Sequence, residues 1–145
     1  MGFIKQLIQK IFFVFLSAEK KAVVTTLQDY AAAFMTFNPA NVLGYFEKPM
    51  FFLEDSGPTV FETDEELIKF LNAYMANLKA MNYATDKLSG FHIRTLTPDV
   101  VMTSFKLVRV DTAGKAFNNE SAVYTWRKTD GSWKVAVGIL LTNQG

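Results

Sequence analysis

A chain of 145 residues, half of them apolar, is long enough to bury the core of one domain and gives no reason to divide it in two. Fifteen basic and fourteen acidic residues leave a formal charge of +1, with no basic run interleaved with aromatics, so nucleic acid is not expected as a partner. The absence of cysteine excludes disulfides, thiol nucleophiles and thiolate metal sites, and the single histidine, His92, excludes an imidazole cluster for zinc. No tight acidic cluster suggests a magnesium site, and no phosphate-binding glycine loop, nucleophile elbow or internal repeat occurs, so neither a metal nor a cofactor is expected.

Residues 1–18 carry Phe3, Ile4, Leu7, Ile8, Ile11, Phe12, Phe15 and Leu16 at helical spacing, with Lys5, Gln6, Gln9 and Lys10 mostly opposite. The pattern reads as an amphipathic helix that packs on the domain or on a partner subunit. Two lysines before an apolar run, followed by Ser17 and Ala18, also fit a secretory signal, and a membrane-surface anchor is a third reading. The run falls short of the roughly 20 apolar residues that cross a bilayer. Membrane contact is not the expectation, and the protein is read as cytoplasmic, or as exported if residues 1–18 act as a signal.

Residues 19–145 form the domain proper. A helix over residues 19–37 places Val23, Leu27, Tyr30, Phe34 and Phe37 on one stripe, and Asn38-Pro39 ends it and caps a short helix. Residues 49–53 read as a strand, the 54–58 stretch as a turn, and residues 59–62 as a second short strand. Thr63-Asp64-Glu65-Glu66 is a capping box that opens a long helix striped by Leu67, Ile68, Leu71, Tyr74, Met75, Leu78 and Met81.

After Asn82 the pattern is that of strands. Residues 87–96 and 100–110 pair across Thr97-Pro98-Asp99, with Gly90 a bulge or bend. A loop of Pro98 and Asp99 sets His92 against Phe105, Arg94 against Thr103 and Leu96 against Val101, leaving Phe91, Ile93, Met102 and Ser104 on the other face. Asp130-Gly131 then marks a tight hairpin between two β-rich runs. In that register Trp126 faces Val135, Tyr124 faces Val137, Ala122 faces Ile139 and Lys128 faces Trp133, all on one apolar side. Arg127 opposes Lys134 on the other side, a repulsion that calls for a nearby carboxylate or a bulge.

The order helix, short helix, strand, short strand, long helix and four antiparallel strands, closed by Thr129-Asp130-Gly131-Ser132 and Trp133-Lys134-Val135, resembles the nuclear transport factor 2-like superfamily. That superfamily includes ketosteroid isomerases, scytalone dehydratase and polyketide-cyclase-like proteins. The resemblance covers roughly residues 20–142. It implies an α+β cone, with a curved antiparallel sheet of mixed strand lengths wrapped around a long helix, a pocket between sheet and helices, and a homodimer paired through the sheet. It also implies candidate roles. Tyr30 on the first helix and Glu54 at the end of the first strand match the isomerase donor and base in order, while the third acid of that site has no counterpart among residues 100–110, where Thr103 and Ser104 are the nearest polar groups.

His92 is the second candidate base, because imidazole titrates near neutral pH. Dehydratases of the superfamily pair such a histidine with tyrosines, and Tyr30, Tyr74 or Tyr124 could serve. Arg94 could orient a carboxylate ligand. Each of these residues has a plainer reading as a packed or rim side chain. Fourteen phenylalanines supply an aromatic wall or an aromatic core. Phe34, Phe46, Phe52 and Phe105 are expected to line a pocket, together with Tyr74, Tyr124, Trp126 and Val137. Asn119-Glu120-Ser121 matches a glycosylation sequon, which matters only in a secreted eukaryotic protein.

Three functions are open on these grounds. The first is a domain binding a hydrophobic or aromatic small molecule without a complete catalytic set. The second is a cofactor-independent isomerase, dehydratase or cyclase with His92 or Glu54 as base and Tyr30 as donor. The third is an association module built on the sheet and the N-terminal helix.

Overall fold

The computed structural model describes residues 16–143, so the amphipathic or signal-like segment expected over residues 1–18 lies almost wholly outside the described residues. Helix α1 spans Ala18–Phe34, and its N-cap Ser17 accepts a hydrogen bond from the Lys20 backbone N–H at 3.3 Å. It buries Val23, Val24 and Leu27. The helix stops three residues short of the expected end because Phe37 adopts a positive φ of 53°, outside helical space. Asn38 then caps a short 3-10 helix, Pro39–Asn41, through its Oδ1 and the Ala40 N–H at 3.1 Å.

Strand β1 is Phe46–Glu54 and β2 is Gly57–Phe61. Helix α2 covers Asp64–Ala80 and buries Leu67, Leu71, Met75 and Leu78. Its capping box forms with one difference. The Glu66 N–H donates to Thr63 Oγ1 at 3.2 Å, while the Glu66 carboxylate accepts from the N–H of Glu62, one residue before the cap, at 2.8 Å. Strands β3 Tyr83–Thr97, β4 Val100–Asp111, β5 Ala116–Thr129 and β6 Ser132–Thr142 follow.

The six strands form one sheet in the order β2-β1-β6-β5-β4-β3. This is the expected α+β arrangement of a curved sheet over helices, with one departure from an antiparallel sheet: β1 runs parallel to β6. The β1/β6 register shifts between Phe46 and Phe51, the interval that contains Pro49, which has no N–H to donate. The core joins Val23 and Leu27 of α1, Leu67, Leu71 and Met75 of α2, and the inward rows of the sheet, with Trp126, Val101 and Val135 fully buried.

Two bulges decide which side chains face that core. In the last hairpin Asp130 (φ 51°) and Gly131 (φ 79°) make the turn, and the first four pairs, Thr129 with Ser132 through Trp126 with Val135, fall in the expected register. A bulge at Ala136 then pairs Thr125 with Val137, Tyr124 with Gly138 and Ala122 with Leu140. Val137 and Ile139 therefore leave the inner face, and Gly138 and Leu140 replace them. Arg127 does oppose Lys134, and the relief is a carboxylate: Glu47 of β1 lies 3.6 Å from Arg127 Nη1 and accepts a hydrogen bond from Thr129.

In β3 the register shifts between Ser89 and His92, around Gly90 at φ 59°. Before the shift Asp86 and Leu88 pair with the inward Arg109 and Leu107. After it Ile93 pairs with the inward Thr103, and His92 pairs with Ser104 rather than Phe105. A second irregularity leaves Leu96 unpaired, and counted from the Pro98-Asp99 turn it is this shift that sets Thr95 against Val101, Arg94 against Met102 and His92 against Ser104. Phe91 and Ile93 thus pack against the core, Phe91 stacked on Phe105 at 6.1 Å between ring centroids, and His92 and Arg94 are exposed on the opposite face.

Candidate functional site

A cavity of about 190 Å³ lies between the inner face of the sheet and the two helices. Its apolar walls come from every layer: Leu27, Ala31 and Phe34 of α1, Leu67, Phe70 and Leu71 of α2, and Phe46, Met50, Phe52, Phe105 and Leu107 of the sheet. Ring packing sets the shape of one wall, where Phe70 meets Phe52 at 5.4 Å, Phe61 at 5.0 Å and Tyr74 at 5.9 Å.

One end of the cavity is polar. Arg109 on β4 continues the inward row of Val101, Thr103, Phe105 and Leu107, and only 5% of the residue is exposed. Its Nη1 donates to Asp86 Oδ1 on β3 at 3.3 Å, its Nη2 donates to the Tyr74 hydroxyl, and Glu120 Oε2 on β5 lies 3.6 Å from Nη2. The guanidinium also sits 5.5 Å from the ring centre of Tyr74 and 5.7 Å from that of Tyr83. Two buried atoms of this group have no hydrogen-bond partner, Arg109 Nε and Glu120 Oε2.

Burial dominates the titration of the site. It raises the carboxyl pKa values of Asp86 and Glu120 above their ordinary range, against the lowering influence of Arg109. The Tyr74 and Tyr83 hydroxyls are pushed up by burial as well. Burial acts to lower the Arg109 pKa, but Tyr74, Asp86 and Glu120 around it outweigh that effect and the net shift is upward. Arg109 is a fixed cation.

Beside this cluster Tyr30 of α1 and Tyr124 of β5 stand with ring centroids 6.2 Å apart, and burial raises both hydroxyls. Tyr30 also makes edge contacts with Tyr45 at 5.7 Å and Phe46 at 5.6 Å.

Of the residues singled out in the sequence, Tyr30, Phe34, Phe46, Phe52, Tyr74, Phe105 and Tyr124 are brought together around the cavity. Trp126 is fully buried beneath it, where its Nε1–H donates to Thr103 Oγ1 at 3.0 Å. Val137 lies on the outer side of the sheet, moved there by the Ala136 bulge. His92 is exposed on the outer face. Glu54 is half-buried at the end of β1 and does not line the cavity, and burial followed by the neighbouring Asp55 raises its carboxyl pKa. Sequence reasoning passed over Arg109, Asp86, Glu120 and Tyr83. The available signal was phase: Arg109 and Glu120 stand in the same alternation as the apolar inward residues of their strands. Among the described residues no group of three or more His, Asp or Glu side chains is placed to hold a metal ion.

The sequence matches the family described as NTF2-like protein (DUF6841) over residues 18–142. The chain belongs to that family. The six-stranded sheet and two helices described above are therefore those of an NTF2-like domain. An NTF2-like protein of unknown function from Pseudomonas putida KT2440 superposes with a TM-score of 0.71 at 9% identity, covering 88% of this chain and 89% of that one. A protein with a cystatin-like fold from Caulobacter vibrioides gives 0.68 at 16% identity, with 88% and 92% covered. A ketosteroid isomerase-like protein from Erwinia carotovora atroseptica gives 0.66 at 13% identity, with 90% and 100% covered. At these identities the likeness is one of fold. No curated protein matches the sequence significantly.

Proposed function

We propose that this NTF2-like domain binds one small, mainly apolar molecule, about one ring in size, with its polar end toward Arg109. The observation that carries the reading is the cavity itself. At about 190 Å³ it slightly exceeds the roughly 150 Å³ apolar cavity that accepts benzene, and it is smaller than the roughly 300–1,000 Å³ of sites for drug-sized ligands. The acid–base alternative, with His92 or Glu54 as base and Tyr30 as donor, has less support, since of the three only Tyr30 lines the cavity.

The test is thermal unfolding with toluene, phenol, indole and cyclohexanol. A ligand present at about 100 times its Kd adds roughly 2.7 kcal/mol of stability and raises Tm measurably. Ala31→Phe, which places a ring in the cavity from α1, should abolish the rise. Failure of every ligand to move Tm contradicts the reading.

A second reading, association into a homodimer through the sheet, is favoured by one specific feature. Phe51, Leu53 and Val60 are 51%, 37% and 43% exposed on adjacent strands, and Phe51 pairs with both Val60 and Val137 to form a contiguous apolar strip. Phe51→Glu should convert a sedimenting dimer into a monomer with little loss of thermal stability. A wild-type monomer at micromolar concentration argues against it.

A further inference from the structure

A buried guanidinium at the end of an apolar cavity invites reading as an anion site, but this one is already neutralised. Asp86 stands 3.3 Å from Nη1 and Glu120 3.6 Å from Nη2, so one positive charge faces two carboxylates. With both ionised the group carries −1, and with one protonated it carries 0; it is positive in neither state. What it leaves unused is a set of hydrogen-bonding atoms. Arg109 Nε–H, on a side chain 6% exposed, has no acceptor. Tyr74 Oη accepts from Arg109, which leaves its own O–H to donate into the cavity that Tyr74 lines. On the acceptor side Asp86 lines the same cavity, while Glu120, whose Oε2 has no donor within hydrogen-bond reach, lies behind Arg109 and outside the lining.

We propose that the head group this cavity accepts is uncharged and carries both an acceptor and a donor, with a primary carboxamide as the simplest case, and that free carboxylates are refused. The proposal rests on the ligand-binding reading above and specifies the polar end of the ligand. A carbonyl oxygen takes the free donors of Arg109 and Tyr74, and an N–H donates to the Asp86 carboxylate at the cavity wall. A free carboxylate offers acceptors alone and brings a further negative charge beside Asp86 and Glu120. Leaving buried polar groups unpaired is what discriminates most strongly between ligands of one shape.

The experiment is calorimetric titration of the full chain at pH 7 with benzamide, sodium benzoate and toluene, one ring each. Benzamide is expected to bind at least tenfold more tightly than either of the others. Benzoate binding as tightly as benzamide overturns the proposal, as does toluene binding as tightly. In the second case the ligand-binding reading survives; if none of the three binds, that reading fails and the proposal falls with it. The double variant Asp86→Asn/Glu120→Gln unmasks the Arg109 charge and should move the benzoate-to-benzamide affinity ratio at least tenfold toward benzoate. Asp86→Asn alone, with Glu120 still beside Arg109, should move it in the same direction and serves if the double variant does not fold. An unchanged ratio in a folded variant overturns the proposal.

Discussion

Replacing Arg109 by methionine keeps an apolar stem of similar length and removes the one buried charge that two half-buried carboxylates face. At 3.3 and 3.6 Å each attraction is worth about 5 kcal/mol at an effective dielectric near 20. Much of that is offset by the desolvation of the guanidinium, which the variant no longer suffers, so the net loss at neutral pH is about 3–5 kcal/mol. For a domain of this size that lowers Tm by roughly 10–15 °C. The loss depends on pH with a definite sign. Asp86 and Glu120 start from ordinary values of 3.8 and 4.5, and burial raises both in the folded protein. Each carboxyl then binds its proton more tightly folded than unfolded, so its favourable contribution is complete below the unfolded value and is lost as pH rises through the folded one. Arg109 holds both folded values down. Without it they rise further, and the window of declining stability widens toward neutral pH. The deficit of the variant relative to wild type should therefore be largest near pH 7.5 and shrink by at least half near pH 4.5, as followed by circular dichroism melts in parallel buffers. Equal deficits at the two pH values, or a deficit under about 1 kcal/mol at pH 7.5, refute the view of Arg109 as a buried counter-ion.

Two further substitutions probe the layer around the cavity. Trp126→Phe removes the buried donor to Thr103 Oγ1 and should cost about 2–4 kcal/mol in urea denaturation, with part of the loss recovered by adding Thr103→Val, which removes the stranded hydroxyl. Gly138→Ala would set a Cβ 3.1 Å from Phe52 Cδ1 and 3.2 Å from Met50 Cε, so both side chains must give way. A stability loss of about 1–2 kcal/mol is expected, together with weaker binding of one-ring ligands because Phe52 and Met50 form the cavity wall; unchanged affinity and stability contradict that geometry.

The architecture was legible because each of its signals is local and repeated. Asp130-Gly131 supplies two positive φ values in succession, Thr63 and Glu66 close the start of α2, and Asn38 with Pro39 opens a short helix. An error of three residues at the end of α1 moves a boundary and changes no layer. The β1/β6 pairing was not legible, since residues some 90 positions apart come side by side through the packing of the whole sheet, and no turn motif connects them.

The site depends on something more fragile than the elements, the parity of each strand. Counted from the Pro98-Asp99 turn, one irregularity at Leu96 moves His92 from the cavity side to the solvent side, and the bulge at Gly90 then returns Asp86 and Leu88 to the inward face that Phe91 and Ile93 share. One bulge at Ala136 does the same to Val137. Where no bulge intervenes, parity carries the chemistry reliably: Tyr124 is two residues from the buried Trp126, and both lie inward as expected. The same rule extends to Arg109 and Glu120. Val101, Thr103, Phe105 and Leu107 fix the phase of β4, and a charge standing in that phase must either be paired or unfold the strand end. The pairing is visible in the register, because Asp86 lies directly across from Arg109, and Glu120, opposite Leu107, is its diagonal neighbour on the other side. Three charges on three adjacent strands thus meet on one face, and an in-phase cation on an otherwise apolar strand is the sequence feature that marks them.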